Sequence, residues 1–194
     1  MKIGVIAIQG NVEEHVRALE KTLAEREEKG VVVTIKHRGL VESCDAIVIP
    51  GGESTTIGRL MDREGIIAEL KAAADEGKKI MGTCAGLVLL AKEGDAEVAK
   101  TGQPLLGLMD VKVKRNAFGG QKESFEALLK LSIFDAVFPA VFIRAPIITH
   151  AADSVEVLAT LKGHIVAAKQ ANILALSFHP ELTEDRRIHH YFLE

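Results

Sequence analysis

Short, unbroken apolar runs alternating with amphipathic stretches constrain this chain more than any other feature. Residues 2–8, residues 31–36, Ala46–Ile49 and residues 79–82 are such runs in the first half. None of them alternates polar with apolar. A strand that is apolar at every position must be covered on both faces, which is the condition of a parallel sheet between two helical layers. The intervening stretches supply the helices. Asn11 and Glu14 have the spacing of a capping box, and Val12, Val16, Leu19 and Leu23 recur at helical intervals. Gly30 fits the stop of that helix. A second helix is predicted over residues 56–76, interrupted near Gly65 and ended by Gly77. Residues 79–82 then run straight into Thr83-Cys84-Ala85-Gly86 and another helix. Strand alternating with helix predicts a doubly wound α/β fold in three layers.

The second half changes character. Residues 111–114, 140–143, 155–161, 164–169 and 173–178 read as strands with few helices between them. They predict antiparallel strands added to a mostly parallel sheet. A closing helix is expected over residues 184–192, with Thr183 as its N-cap and an apolar face of Ile188, Tyr191 and Phe192. No repeat or linker divides the 194 residues, so one domain over residues 1–194 is expected.

Composition excludes several classes of function. The formal net charge is −3 and no basic stripe is visible, which argues against nucleic acid or an anionic membrane as partner. The apolar runs are too short to span a bilayer. The N-terminal run is followed by Gln9-Gly10-Asn11 rather than a cleavage site, so it reads as a buried first strand and not a signal peptide. Cys44 and Cys84 make no disulfide framework, and a cytoplasmic location is expected.

Three motifs carry chemistry. Gly82-Thr83-Cys84-Ala85-Gly86 has the pattern of a nucleophile elbow with cysteine in the nucleophile position. The glycines allow strand and helix to approach closely, and the positive end of the helix favours a thiolate. A small buried cysteine between packing glycines would read the same way. Phe178-His179-Pro180-Glu181 follows another apolar strand. Pro180 biases His179 to an extended conformation, and residues two apart in an extended chain point the same way. Glu181 can then orient the His179 imidazole, giving a candidate triad of Cys84, His179 and Glu181. In Pro50-Gly51-Gly52-Glu53-Ser54-Thr55-Thr56 the N–H of Gly52, with that of Ala85, could form an oxyanion hole. Ser54 or Thr55 could equally be a plain helix cap. A phosphate loop is disfavoured, since the lysine and spacing it needs are absent. Arg115 and Arg144 each follow an apolar strand and could hold a substrate carboxylate. His15 reads as solvated or packed and Cys44 as structural. The adjacent His189 and His190 face different directions and suit no common metal.

These motifs resemble those of the class I glutamine amidotransferases, and within them the glutaminases of pyridoxal 5'-phosphate synthesis. The likeness extends through Ile8-Gln9-Gly10 with Glu14-His15, Arg115-Asn116-Ala117-Phe118-Gly119 and Phe142-Ile143-Arg144-Ala145-Pro146. It implies hydrolysis of L-glutamine to glutamate and ammonia through a γ-glutamyl thioester, without cofactor or metal. It implies both hydrolase and lyase activity, in a heteromeric complex. A pyridoxal 5'-phosphate synthase subunit would accept the ammonia, and activity would rise on docking. Gly52, Glu53, Ser54, Arg115, Ile143 and Arg144 would line the glutamine site. One departure is Gly120, where the family often has arginine. Two rivals stay open: a cysteine hydrolase or glutaminase serving another acceptor, and a non-catalytic assembly subunit. Intact residues at all three triad positions argue against the second.

Overall fold

The computed structural model describes residues 1–118 and 124–194. Its elements run β1 (Lys2–Ile6), α1 (Val12–Glu25), β2 (Val31–Ile35), β3 (Ala46–Ile49), α2 (Ser54–Arg63), α3 (Ile66–Asp75), β4 (Lys79–Thr83) and α4 (Ala85–Leu90). The second half adds β5 (Ala91–Glu93), α5 (Ala96–Thr101), β6 (Met109–Lys114), β7 (Ser124–Leu129), β8 (Phe138–Ile143), β9 (Ile147–Ala151), β10 (Glu156–Leu161), β11 (His164–Gln170), β12 (Ile173–Leu176) and α6 (Arg187–Leu193). The main sheet is ordered β2-β1-β3-β4-β12-β11-β9-β6-β5, with β10 paired to β11. From β2 through β12 every neighbour is parallel. Beyond β12 the pairings turn antiparallel, apart from the parallel edge pair β5–β6. β7 and β8 form a separate antiparallel ribbon. The α/β class and the added antiparallel strands follow the sequence expectation.

The central strand β3 is apolar throughout because each face meets its own helical layer, whereas the edge strand β2 exposes Val31 and Thr34. Ile47 and Ile49 of β3 join Ile57 and Met61 of α2, Ile66 and Leu70 of α3, and Leu87 of α4. Ala46 and Val48 of the same strand face the other way, toward Leu19 and Leu23 of α1 and Ile188 and Phe192 of α6. This is the two-residue period of a pleated strand. The β7–β8 ribbon packs Leu129, Phe138 and Phe142 onto the α1–α6 side.

Several local expectations are corrected. Asn11 precedes α1 but makes no side-chain cap; its Nδ2 donates to Glu181 Oε1 at 3.3 Å. That helix ends at Glu25, before Gly30. The break at Gly65 is real, and its left-handed backbone (φ 73°) separates α2 from α3. The last helix starts at Arg187, not residue 184, and Thr183 does not cap it. The Thr183 hydroxyl bonds the Pro180 and Asp185 carbonyls, and Asp185 is held by Arg187. The sequence reading missed β5, β7, β9 and α5. The departure at Gly120 lies outside the described residues. No helix among the described residues is long and apolar enough to cross a membrane.

Candidate active site

The sharp turn from β4 into α4 puts Cys84 at φ 49° and ψ −102°, a backbone conformation that side-chain-bearing residues rarely adopt. Its N–H is fixed to the Leu176 carbonyl of neighbouring β12 at 2.8 Å. The flanking glycines are a packing requirement. A Cβ on Gly82 would strike Leu90 and Gly86, and one on Gly86 would strike the Ile49 carbonyl. The thiol is buried and its Sγ lies 3.7 Å from the Ile143 carbonyl oxygen.

His179 lies just beyond β12 at φ −109° and ψ 88°, outside the helical region that the following proline disfavours but short of the extended conformation expected. Its N–H donates to the Val141 carbonyl at 2.8 Å, and its ring rests on Gly51, where any Cβ would collide with it. Nδ1 meets Glu181 Oε1 at 2.7 Å, with both side chains buried. The route to that contact differs from the expectation. Glu181 sits in a 3-10 turn, Pro180–Leu182, rather than on an extended chain. Burial works against charge on His179, yet Cys84 and Glu181 outweigh it and push the imidazole up to about 10. Burial likewise opposes charge on Glu181, but His15 and His179 keep its carboxyl below the usual range. His179 Nε2 is buried with no hydrogen bond of good geometry among the described residues, so it is open toward the thiol and the cleft.

Cys84 and His179 line a cleft of ≈ 180 Å³ together with Gly52, Glu53, Ser54, Ala85, Arg115, Ile143 and Arg144. That volume is below the range for drug-sized ligands and suits a single small metabolite. Glu181 lies behind the imidazole, outside the cleft wall. Ala85 is the first residue of α4, so its N–H has no partner within the helix. Gly52 (φ 153°) turns the chain between β3 and α2, and its N–H meets no acceptor among the described residues.

The cap of α2 is neither Ser54 nor Thr55. Glu53 accepts from the Thr55 and Thr56 N–H groups at 3.2 and 2.8 Å. Burial opposes its charge, but these bonds and those of the threonine hydroxyls hold its carboxyl below the usual range. Arg115 donates to Glu53 Oε1 at 3.2 Å and to Thr55 Oγ1 and Gln103 Oε1, each at 3.2 Å. Gln103 also accepts from Ser54 and Thr55 and is buried. Arg144 stands exposed at φ 43° on the opposite lip.

The sequence reading missed Gln103, which sits in a loop without a motif. It also undervalued His15, which is fully buried with Nε2 at 3.1 Å from Thr83 Oγ1. Asn11, Val88, Asn116 and Pro146 line the cleft as well. Cys44 packs in the core. His189 is buried, which pushes its imidazole down to about 3, while His190 reaches Glu25 at 2.7 Å. Among the described residues no group of histidine, cysteine and acidic side chains is arranged to hold a metal.

Comparison with known proteins gives concordant matches. Residues 5–194 match the model of the SNO glutamine amidotransferase family. A Methanococcoides burtonii protein named pyridoxal 5'-phosphate synthase subunit PdxT is 61% identical over 100% of this chain and 98% of its own. A protein of the same name from Archaeoglobus fulgidus is 54% identical over 100% of this chain and 98% of its own. A crystal structure described as a glutamine amidotransferase superposes with a TM-score of 0.87 at 44% identity, covering 98% of this chain and 96% of that one. These matches correct one expectation. The family is one of amidotransferases and the relatives are named as one subunit of a synthase, so lyase activity does not belong to this chain. A thiol beside a buried imidazole suits acyl transfer to water, which is hydrolysis.

Proposed function

Because the chain belongs to the SNO glutamine amidotransferase family, we propose that it is the glutaminase subunit of a pyridoxal 5'-phosphate synthase. It hydrolyses L-glutamine to L-glutamate and ammonia and passes the ammonia to a synthase subunit. The reading treats residues 1–194 as one glutaminase domain, in the cytoplasm. The observation that carries it is the juxtaposition of Cys84 with the His179–Glu181 pair at the carboxyl ends of adjacent parallel strands. In an open α/β sheet that edge is where ligands bind.

The Cys84 thiolate attacks the side-chain carboxamide carbon of glutamine. The carbonyl oxygen becomes an oxyanion, which the Gly52 and Ala85 N–H groups stabilise. An imidazole that holds its proton to about pH 10 is the acid at hand. It gives that proton to the departing nitrogen, and the C–N bond breaks to leave a γ-glutamyl thioester and ammonia. His179, now neutral, takes a proton from water, whose oxygen attacks the thioester and releases glutamate and the thiolate. Glu53 on one lip and Arg115, Ile143 and Arg144 on the other hold the amino acid. Arg144 is the exposed cation suited to the α-carboxylate.

The test is ammonia release from L-glutamine with and without the synthase subunit, for the native chain and Cys84→Ala. The expected result is release that rises on docking and vanishes in the variant. Undiminished release by a folded Cys84→Ala chain overturns the assignment.

A further inference from the structure

A buried carboxylate needs donors for both of its oxygens. The Glu181 side chain is fully buried. Its Oε1 has two donors, His179 Nδ1 at 2.7 Å and Asn11 Nδ2 at 3.3 Å. Oε2 has no hydrogen bond of full geometry among the described residues, and His15 Nε2 stands 3.4 Å from it. The same nitrogen is 3.1 Å from the hydroxyl of Thr83, the residue before Cys84. His15 therefore spans the strand end that carries the nucleophile and the carboxylate that orients the base. Its other nitrogen, Nδ1, is buried with no partner among the described residues. An unpaired buried polar atom is costly, and a histidine kept for packing alone would be better replaced by leucine. Asn11 and His15 are four residues apart at the start of α1, on one face. Helix α1 thus aims both groups at one carboxylate.

We propose that His15, assisted by Asn11, is a positioning residue for the glutaminase reaction, holding the Glu181 carboxylate in the orientation that keeps Oε1 on His179. The inference rests on the glutaminase reading above. Burial disfavours charge on His15, and its Nε2 is the ring nitrogen that faces both Glu181 Oε2 and the Thr83 hydroxyl. Without it Oε2 loses the imidazole nitrogen that faces it. The carboxylate then turns to share the donors of Oε1, and the imidazole loses its alignment with the thiol. The charged and titratable groups around Glu181 are His15 from α1 and His179 from its own turn, with His189 and Arg186 beyond His15.

The test measures kcat, KM and the pH profile of ammonia release with the synthase subunit docked, for His15→Leu, His15→Asn and His15→Gln. Glutamine can return an N–H to the place of Nε2, whereas asparagine is too short. Leucine and asparagine are expected to lower kcat by about ten- to a hundredfold at nearly constant KM. They are also expected to move the acid limb to higher pH, since Glu181 loses a group that keeps it ionised. Glutamine recovers most of the rate. Should the leucine variant not fold, the asparagine–glutamine pair decides. A folded asparagine or leucine variant with native kcat and native pH profile overturns the proposal, as does a glutamine variant no better than asparagine. A native chain that releases no ammonia overturns the glutaminase reading itself, which separates the two failures.

Discussion

The two lips of the cleft are built on different principles. One belongs to the parallel half, where strand ends β3 and β4 turn straight into helices. There the proposed chemistry rests on backbone: the Gly52 and Ala85 N–H groups and the strained turn at Cys84. The other lip belongs to the antiparallel half and works through side chains, with Ile143, Arg144 and Arg115 reaching in from β6 and β8 or just beyond them. The first arrangement holds its groups on main chain that is itself hydrogen-bonded into the sheet, as the Cys84 N–H is to Leu176. The second tunes which molecule is held. Damage to the first lip should therefore appear in kcat and damage to the second in KM.

The largest expected effect is at the nucleophile. Cys84→Ser keeps a hydroxyl in the same turn but loses the thiolate, and the rate should fall by at least about 10³-fold in a glutamine-dependent ammonia assay. Next comes Glu181→Gln, expected to lower kcat by about 10²-fold or more. It also bears on pH. The native imidazole is protonated until about pH 10, so its alkaline limb lies there. Removing the carboxylate charge should bring that limb down by about 1–3 units. The raised imidazole also stabilises the folded chain. That contribution is complete below the unfolded value of about 6.5 and is lost as pH rises through about 10. Denaturant midpoints of the native chain at pH 7 and 10, compared with His179→Ala, measure it. On the side-chain lip, Arg115→Met should raise KM by about ten- to a hundredfold, with kcat little altered. A fall in kcat alone would show that the two lips are not separable. The smallest effect on activity is expected from Gly65→Ala, far from the cleft. Forcing alanine into the left-handed break between α2 and α3 should cost about 1 kcal/mol, or about 2–4 °C in Tm, with kcat unchanged.

The same contrast explains what could be read from the sequence. The parallel half was legible because a strand buried on both faces has nowhere to put a polar residue. Ala46–Ile49 was bounded correctly from that fact alone. The antiparallel half was partly hidden. In β7 exposed and covered positions alternate and Glu126 interrupts the apolar pattern, and β9 begins directly after Pro146 and carries exposed Thr149 and His150. The triad candidates were legible as motifs, although Glu181 reaches His179 through a 3-10 turn and not through the extended spacing expected. Gln103 and the capping role of Glu53 were not, since their meaning comes from what folds against them. His15 lay between these cases. Its place on α1 was visible, but a lone histidine on a helix gives no sign that a carboxylate from residue 181 will be waiting for it.

One feature of the topology bears on how the molecule comes into being. β12 is the last strand in the chain, yet it lies in the middle of the sheet between β4 and β11. Its insertion carries His179 to the side of Cys84, and that pairing joins residues distant in sequence, the slow kind of folding step. A chain lacking that strand keeps its nucleophile but has no base beside it. Glutamine turnover is thus withheld from any copy in which β12 has not entered the sheet, and ammonia release doubles as a report on that step.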